Sequence, residues 1–100
     1  MNITISELEG KLVVAIEGDL NNGASAQATR DMAPVFERTD CDVVIDCTQL
    51  DYIASSGLRL ILDVYKHTRA NGRKAFLKNL SEDVKEVFSL SGFLQLFIVE

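Results

Sequence analysis

The sequence predicts an α/β fold: a mixed, mostly parallel five-stranded sheet with an antiparallel edge strand, in the element order β-β-α-β-α-β-α-β. Three observations lead there. The chain opens with two β-rich runs split by a tight turn signal. Short apolar runs then alternate with segments whose apolar residues recur at helical spacing. Crossovers of that kind are right-handed and join parallel strands, so the alternation implies a parallel sheet covered by helices.

Each element has its own signal. Asn2 to Ser6 alternates polar and apolar residues, Lys11 to Glu17 is Val-rich, and Glu9-Gly10 between them marks a hairpin. Gly18 to Gly23 (GDLNNG) is turn chemistry. Ala24, Ala28, Met32, Val35 and Phe36 then follow a helical period, giving a helix over about 24–38. Pro34 falls late in it, where a missing backbone donor costs up to ~3 kcal/mol, so a kink is expected there. Asp42 to Cys47 (DVVIDC) is a β-branched apolar run without strict alternation, as in a central strand covered on both faces.

The second helix runs from Ser56 to about Ala70. Leu58, Ile61, Leu62 and Tyr65 form its apolar stripe, with Arg59, Asp63, Lys66 and His67 opposite. Leu60 and Val64 widen the stripe, which fits either a helix buried on two sides or an apolar patch for a partner; burial is preferred. Asn71-Gly72 closes this helix, Gly72 being suited to the left-handed cap. Lys74 to Lys78 reads as a strand. Ser81 caps a third helix carrying Val84, Val87, Phe88 and Leu90, with Glu82 and Asp83 in its first turn. Ser91-Gly92 breaks it, and Leu96 to Val99 is the closing strand.

Length and composition bound the function. One hundred residues, 47% apolar and 25% charged, describe one ordinary globular domain over 1–100 with no linker or repeat. A net charge of −5 disfavours a nucleic-acid partner, whose phosphates call for clustered Lys and Arg. The only basic cluster, Lys66, Arg69, Arg73 and Lys74, reads as a solvated helix end. No segment has the length to insert in a bilayer and no leader pattern opens the chain, so a cytoplasmic location is expected. Cys41 and Cys47, at opposite ends of one strand, stand roughly 20 Å apart at ~3.3 Å per residue, too far for a disulfide. Both are expected as reduced, buried thiols, and with a single His they make no metal-ligand pattern; no cofactor is implied.

Function in such sheets gathers at the carboxyl ends of the strands, here the loops Gly18 to Gly23 and Cys47 to Ser55. Ser55 or Ser56 falls at a helix N-cap and can serve simply as a cap. The same place favours negative charge, so a phosphoryl group on Ser55 would be held at little electrostatic cost. Asp46 reads equally as a cap of local amides or as a functional acid. His67 reads as a solvated partner of Asp63, and no nucleophile elbow surrounds either serine.

Asp46 to Arg59 (DCTQLDYIASSGLR) resembles the signature loop and helix of STAS domains, the anti-sigma factor antagonists. Gly18 to Asn21 (GDLN) resembles the first loop of that family, and Val87 to Leu94 (VFSLSGFL) its last helix and glycine exit. The resemblance spans the chain and implies a non-enzymatic protein that binds an anti-sigma factor with serine-kinase activity and frees a sigma factor. Phosphorylation at Ser55 by that kinase would break the complex and a phosphatase would restore it. The implied contact surface is Asp19, Asn21, Ala54, Ser55, Ser56, Gly57, Leu58 and Arg59. Many phosphorylated relatives carry Asp where this chain has Ala54 and Asn21. That departure keeps two other readings open: a constitutive STAS subunit, for example of a lipid-transport ATPase, and a small-ligand or nucleotide sensor.

Overall fold

The computed structural model describes residues 1–100. Strands β1 (Asn2–Leu8) and β2 (Lys11–Leu20) pair antiparallel, from Asn2 against Glu17 to Leu8 against Lys11. Glu9 and Gly10 both take positive φ, 53° and 78°, the hairpin turn whose twist matches that of the strands.

β2 runs past the end predicted for it. At Gly18 the backbone reaches φ 86° and the pairing register shifts, a bulge that lets the chain continue as strand through Leu20. The extension has a partner, β4 (Leu50–Ile53), which lies parallel to it. The sequence reading had placed both segments in loops, so the sheet has six strands where five were expected. β3 (Val43–Asp46) pairs parallel with Leu12 to Ala15 of β2, so one long strand carries two partners in succession. β5 (Ala75–Lys78) and the two-residue β6 (Ile98–Val99) complete the order β1-β2-β3-β5-β6. β6 is shorter than the predicted Leu96 to Val99 because Leu96 and Phe97 donate their amides to Phe93 in a 3-10 turn.

The helix expected over 24–38 is broken. A 3-10 turn (Asn22–Ala24) leads into α1 (Ser25–Asp31), and α2 (Ala33–Glu37) starts anew after Met32. Pro34 is the reason: it sits in the first turn of α2, where its missing amide is no loss. α3 (Ser55–Ala70) and α4 (Glu82–Leu90) form as expected, α4 capped by Ser81 Oγ accepting from the Val84 amide at 3.2 Å.

A cluster of 22 buried residues forms the core, with Leu12, Val14 and Ile16 of β2 and Val43 and Ile45 of β3 against Ile61 and Val64 of α3 and Phe88 of α4. Leu60 and Val64 are both buried, as preferred. The opposite face of the sheet carries Val13, Val44 and Phe76 in one row, none of them part of that cluster, with the Lys11 ammonium 4.3 Å over the Phe76 ring. Helices therefore cover one face only, which corrects the expectation of a central strand covered on both. Val44 on that face is nonetheless buried.

Cys41 and Cys47 are free and buried. Burial, with a smaller contribution from the Asp46 charge, pushes the Cys47 thiol up to about 12. Neither cysteine is expected to react with a thiol reagent at pH 8 under native conditions, and both should react in denaturant. Rapid native labelling of Cys47 would contradict its placement.

Candidate partner-binding site at the start of α3

The site is built where β2, β4 and α3 meet. Ala54 is the N-cap residue of α3, in extended conformation, and its amide donates to the Leu20 carbonyl at 2.9 Å. That bond ties the end of β2 to the start of the helix. Neither serine caps the helix, contrary to expectation: no side chain accepts from its first amides. Ser55 is the first helical residue and exposed. Ser56, half-buried, donates its hydroxyl to Asn22 Oδ1 at 2.7 Å, bridging to the first loop. The first intrahelical bond is Leu58 N to Ala54 O, so the amides of residues 55–57 have no acceptor within the helix. They and the helix dipole give this end partial positive charge.

Gly57 permits this approach. A Cβ there would stand 2.7 Å from Leu20 Cγ and 2.9 Å from Ile53 Cγ1, both side chains buried. Only a residue without a side chain lets α3 begin on top of the strand ends.

The first loop lies alongside. Asn21 caps the 3-10 turn, its Oδ1 accepting from the Ala24 amide at 2.9 Å. Between α1, α2 and α3 an open cleft of about 620 Å³ is lined by Ser25, Thr29, Phe36, Ser55, Ser56, Arg59, Leu60 and Asp63. The Ser25 and Thr29 hydroxyls donate to the Asn22 and Ser25 carbonyls, leaving their lone pairs to the cleft.

The expected contact surface divides by exposure. Asp19, Asn21, Ser55 and Arg59 are exposed, Ser56 and Leu58 half-buried, and Ala54 and Gly57 buried. Asp19 stands opposite Tyr52 in the β2–β4 pairing, at the same rim. Ala54 and Gly57 therefore shape the site from beneath. Sequence reasoning missed Asn22, Ser25, Thr29, Phe36 and Asp63, which reach the site only through the packing of the helices; the Asn21-Asn22 doublet was the one local hint.

Two other candidates resolve structurally. Asp46 accepts from the amide and hydroxyl of Thr48, and Asn79 donates to the Thr48 hydroxyl at 2.9 Å. Partial burial, the largest single influence, pushes the carboxyl up, but the two Thr48 bonds, together with Asn79 and the Lys78 charge, outweigh it and hold Asp46 below the usual carboxylate range. It locks the β3–β4 connection. His67 does not pair with Asp63: its Nε2 donates to the Arg38 carbonyl at 2.6 Å and its ring meets Phe36 edge-on at 5.5 Å. It lies twelve residues from Ser55 along α3, roughly 18 Å at 1.5 Å per residue, out of reach as a base.

The STAS domain family model matches residues 2–100. This chain belongs to the STAS family. It is 35% identical over 99 residues to a Bordetella bronchiseptica protein named as a candidate anti-sigma factor antagonist, BtrV, covering 99% of this chain and 85% of that protein. An anti-sigma factor antagonist from Mycobacterium paratuberculosis has the same fold, with TM-score 0.87 and 15% identity over 98% of this chain and 83% of that one. The Bacillus cell fate determinant SpoIIAA in its phosphorylated form superposes with TM-score 0.74 and 19% identity, over 99% and 91% of the two chains. No helix of the chain is long and apolar enough to cross a membrane.

Gly57→Ala should lower the unfolding free energy by about 1–2 kcal/mol, overpacking outweighing the usual helix gain of Ala over Gly. Urea unfolding checks this; a variant as stable as the parent would remove the close-approach argument. Asp46→Asn should destabilise at neutral pH. Because the folded carboxyl lies below its unfolded value, its stabilisation is present above pH ~4. It is lost as pH falls through the lower, folded pKa. The gap between parent and variant should therefore narrow as the pH is taken progressively below ~4, as read by thermal melts across pH.

Proposed function

We propose that this STAS protein is an anti-sigma factor antagonist. Unmodified, it binds an anti-sigma factor that is also a serine kinase and frees a sigma factor for transcription; phosphate on Ser55 breaks the complex and a phosphatase restores it. The observation that carries this reading is the difference between adjacent serines. Ser55 is exposed at the cleft with its hydroxyl making no bond within the protein, whereas Ser56 is held by Asn22. A kinase thus meets one free acceptor.

Electrostatics support a switch that leaves the fold intact. A phosphoserine carries close to two negative charges at neutral pH. At the first residue of a sixteen-residue helix those charges meet the positive end of the dipole, so the modified domain stays folded. A partner that has desolvated the same rim would instead meet an unpaired dianion, and a buried unpaired charge is strongly unfavourable. The protein acts as ligand and substrate, and His67, held at the far end of α3 by the Arg38 carbonyl, is out of reach of Ser55.

A second reading, a STAS subunit that binds its partner constitutively, is favoured by one observation. Ala54 is buried and Asn21 is engaged as a cap, so neither position sets a carboxylate beside the Ser55 hydroxyl. Copurification with a transport ATPase in place of a kinase would select it.

With ATP and an anti-sigma factor that has serine-kinase activity, the protein should take up one phosphate, located at Ser55 by mass spectrometry. Ser55→Ala should take none, Ser56→Ala should still be modified, and Ser55→Glu should bind the anti-sigma factor at least about tenfold more weakly, a single repulsive contact of ~1.4 kcal/mol. Binding indifferent to Ser55→Glu would remove the switch.

A further inference from the structure

Ser55, Arg59 and Asp63 stand four residues apart along α3 and all line the same cleft. Residues at that spacing are neighbours on a helix surface. Helical side chains lean toward the N-terminus, so a long side chain covers the turn before its own Cα. A side chain as long as that of Arg59 can therefore reach back to Ser55. Asp63, short and one turn further on, leans toward Arg59 without reaching it: both ion pairs in the structure belong to Arg38, with Glu7 and Asp40. The Arg59 guanidinium is exposed and without an acidic partner.

We propose that Arg59 is the internal receptor for the phosphate on Ser55, so that modification withdraws a cation from the docking rim as well as adding an anion to it. This deepens the switch proposed above and rests on that reading. The guanidinium has five donors in a planar fork that suits phosphate oxygens, and phosphoserine offers up to two charges where Asp63 offers one. In the unmodified protein Arg59 is free to meet a carboxylate on the partner. In the phosphorylated protein it turns back onto residue 55 and that contact is lost. One covalent event thus adds an anion at residue 55 and neutralises the cation at residue 59, without movement of the backbone.

The consequence is specific to Arg59 and measurable without a kinase. Phosphoserine is installed at position 55 during synthesis of the full chain, and its phosphorus resonance is titrated from pH 4 to pH 8. A neighbouring cation favours the dianion, so the second ionisation of the phosphate should occur at lower pH in the parent than in Arg59→Gln. Near pH 6 the ratio of dianion to monoanion should fall about twofold in Arg59→Gln, the scale of one helical charge pair. Arg59→Lys, which keeps the charge, should titrate with the parent. Superimposable curves for parent and Arg59→Gln, or a Lys variant that follows Gln, would overturn the proposal. Failure of a kinase to modify Ser55 is a separate result: it sinks the switch and leaves this titration readable.

Discussion

The close approach of α3 to the ends of two strands is the constraint on which the rest depends. Gly57 lets the helix sit against Leu20 and Ile53, and the Ala54 amide fastens it to Leu20. Leu20 is in place only because the bulge at Gly18 carries β2 past the end of the hairpin and gives β4 something to pair with. Two glycines, one for its backbone and one for its absent side chain, thereby fix where the helix starts. Everything offered to a partner follows from that start: the free hydroxyl of Ser55, the unpaired amides beneath it, and the cleft shared with α1 and α2.

The site combines a rigid base with a polar surface. Ala54 and Gly57 are buried among core residues, while Ser55 and Arg59 are exposed on successive turns of one helix face. A preformed surface of this kind loses little freedom on binding. Asn22 joins the two loops by a single bond to Ser56, so the first loop and the helix present one continuous rim. The sheet face on the other side, with Val13, Val44 and Phe76 under Lys11, has no helix over it and takes no part in this arrangement.

Much of this was legible in the sequence, and the parts that were not share a cause. Local signals located the Glu9-Gly10 hairpin and the Ser81 cap, because each depends on residues near one another in the chain; the buried face of α3 is centred on Leu60, Ile61 and Val64, and of the predicted stripe Leu58, Leu62 and Tyr65 are only half-buried. The segment DCTQLDYIASSGLR pointed to the family. What stayed hidden was pairing at a distance. Gly18 to Leu20 looks like a turn and Leu50 to Ile53 like a loop until each is given the other as partner. Pro34 announced a disturbance, but whether a helix kinks or restarts is decided by how Met32 and Val35 pack in the core. Ser56 looked like a cap because nothing local shows Asn22 thirty-four residues away. His67 looked solvated for the same reason, its partner being the Arg38 carbonyl on the far side of the α2–β3 connection.

The central claim is that this rim changes its charge while the fold beneath it stays fixed. Amide ¹H–¹⁵N spectra of the full chain with serine and with phosphoserine at position 55 test it most directly. The account predicts shifts confined to residues 20–25 and 54–63, with β3, β5 and α4 unchanged. Shifts spread through those core elements would show that phosphate acts by remodelling the domain, and would contradict it.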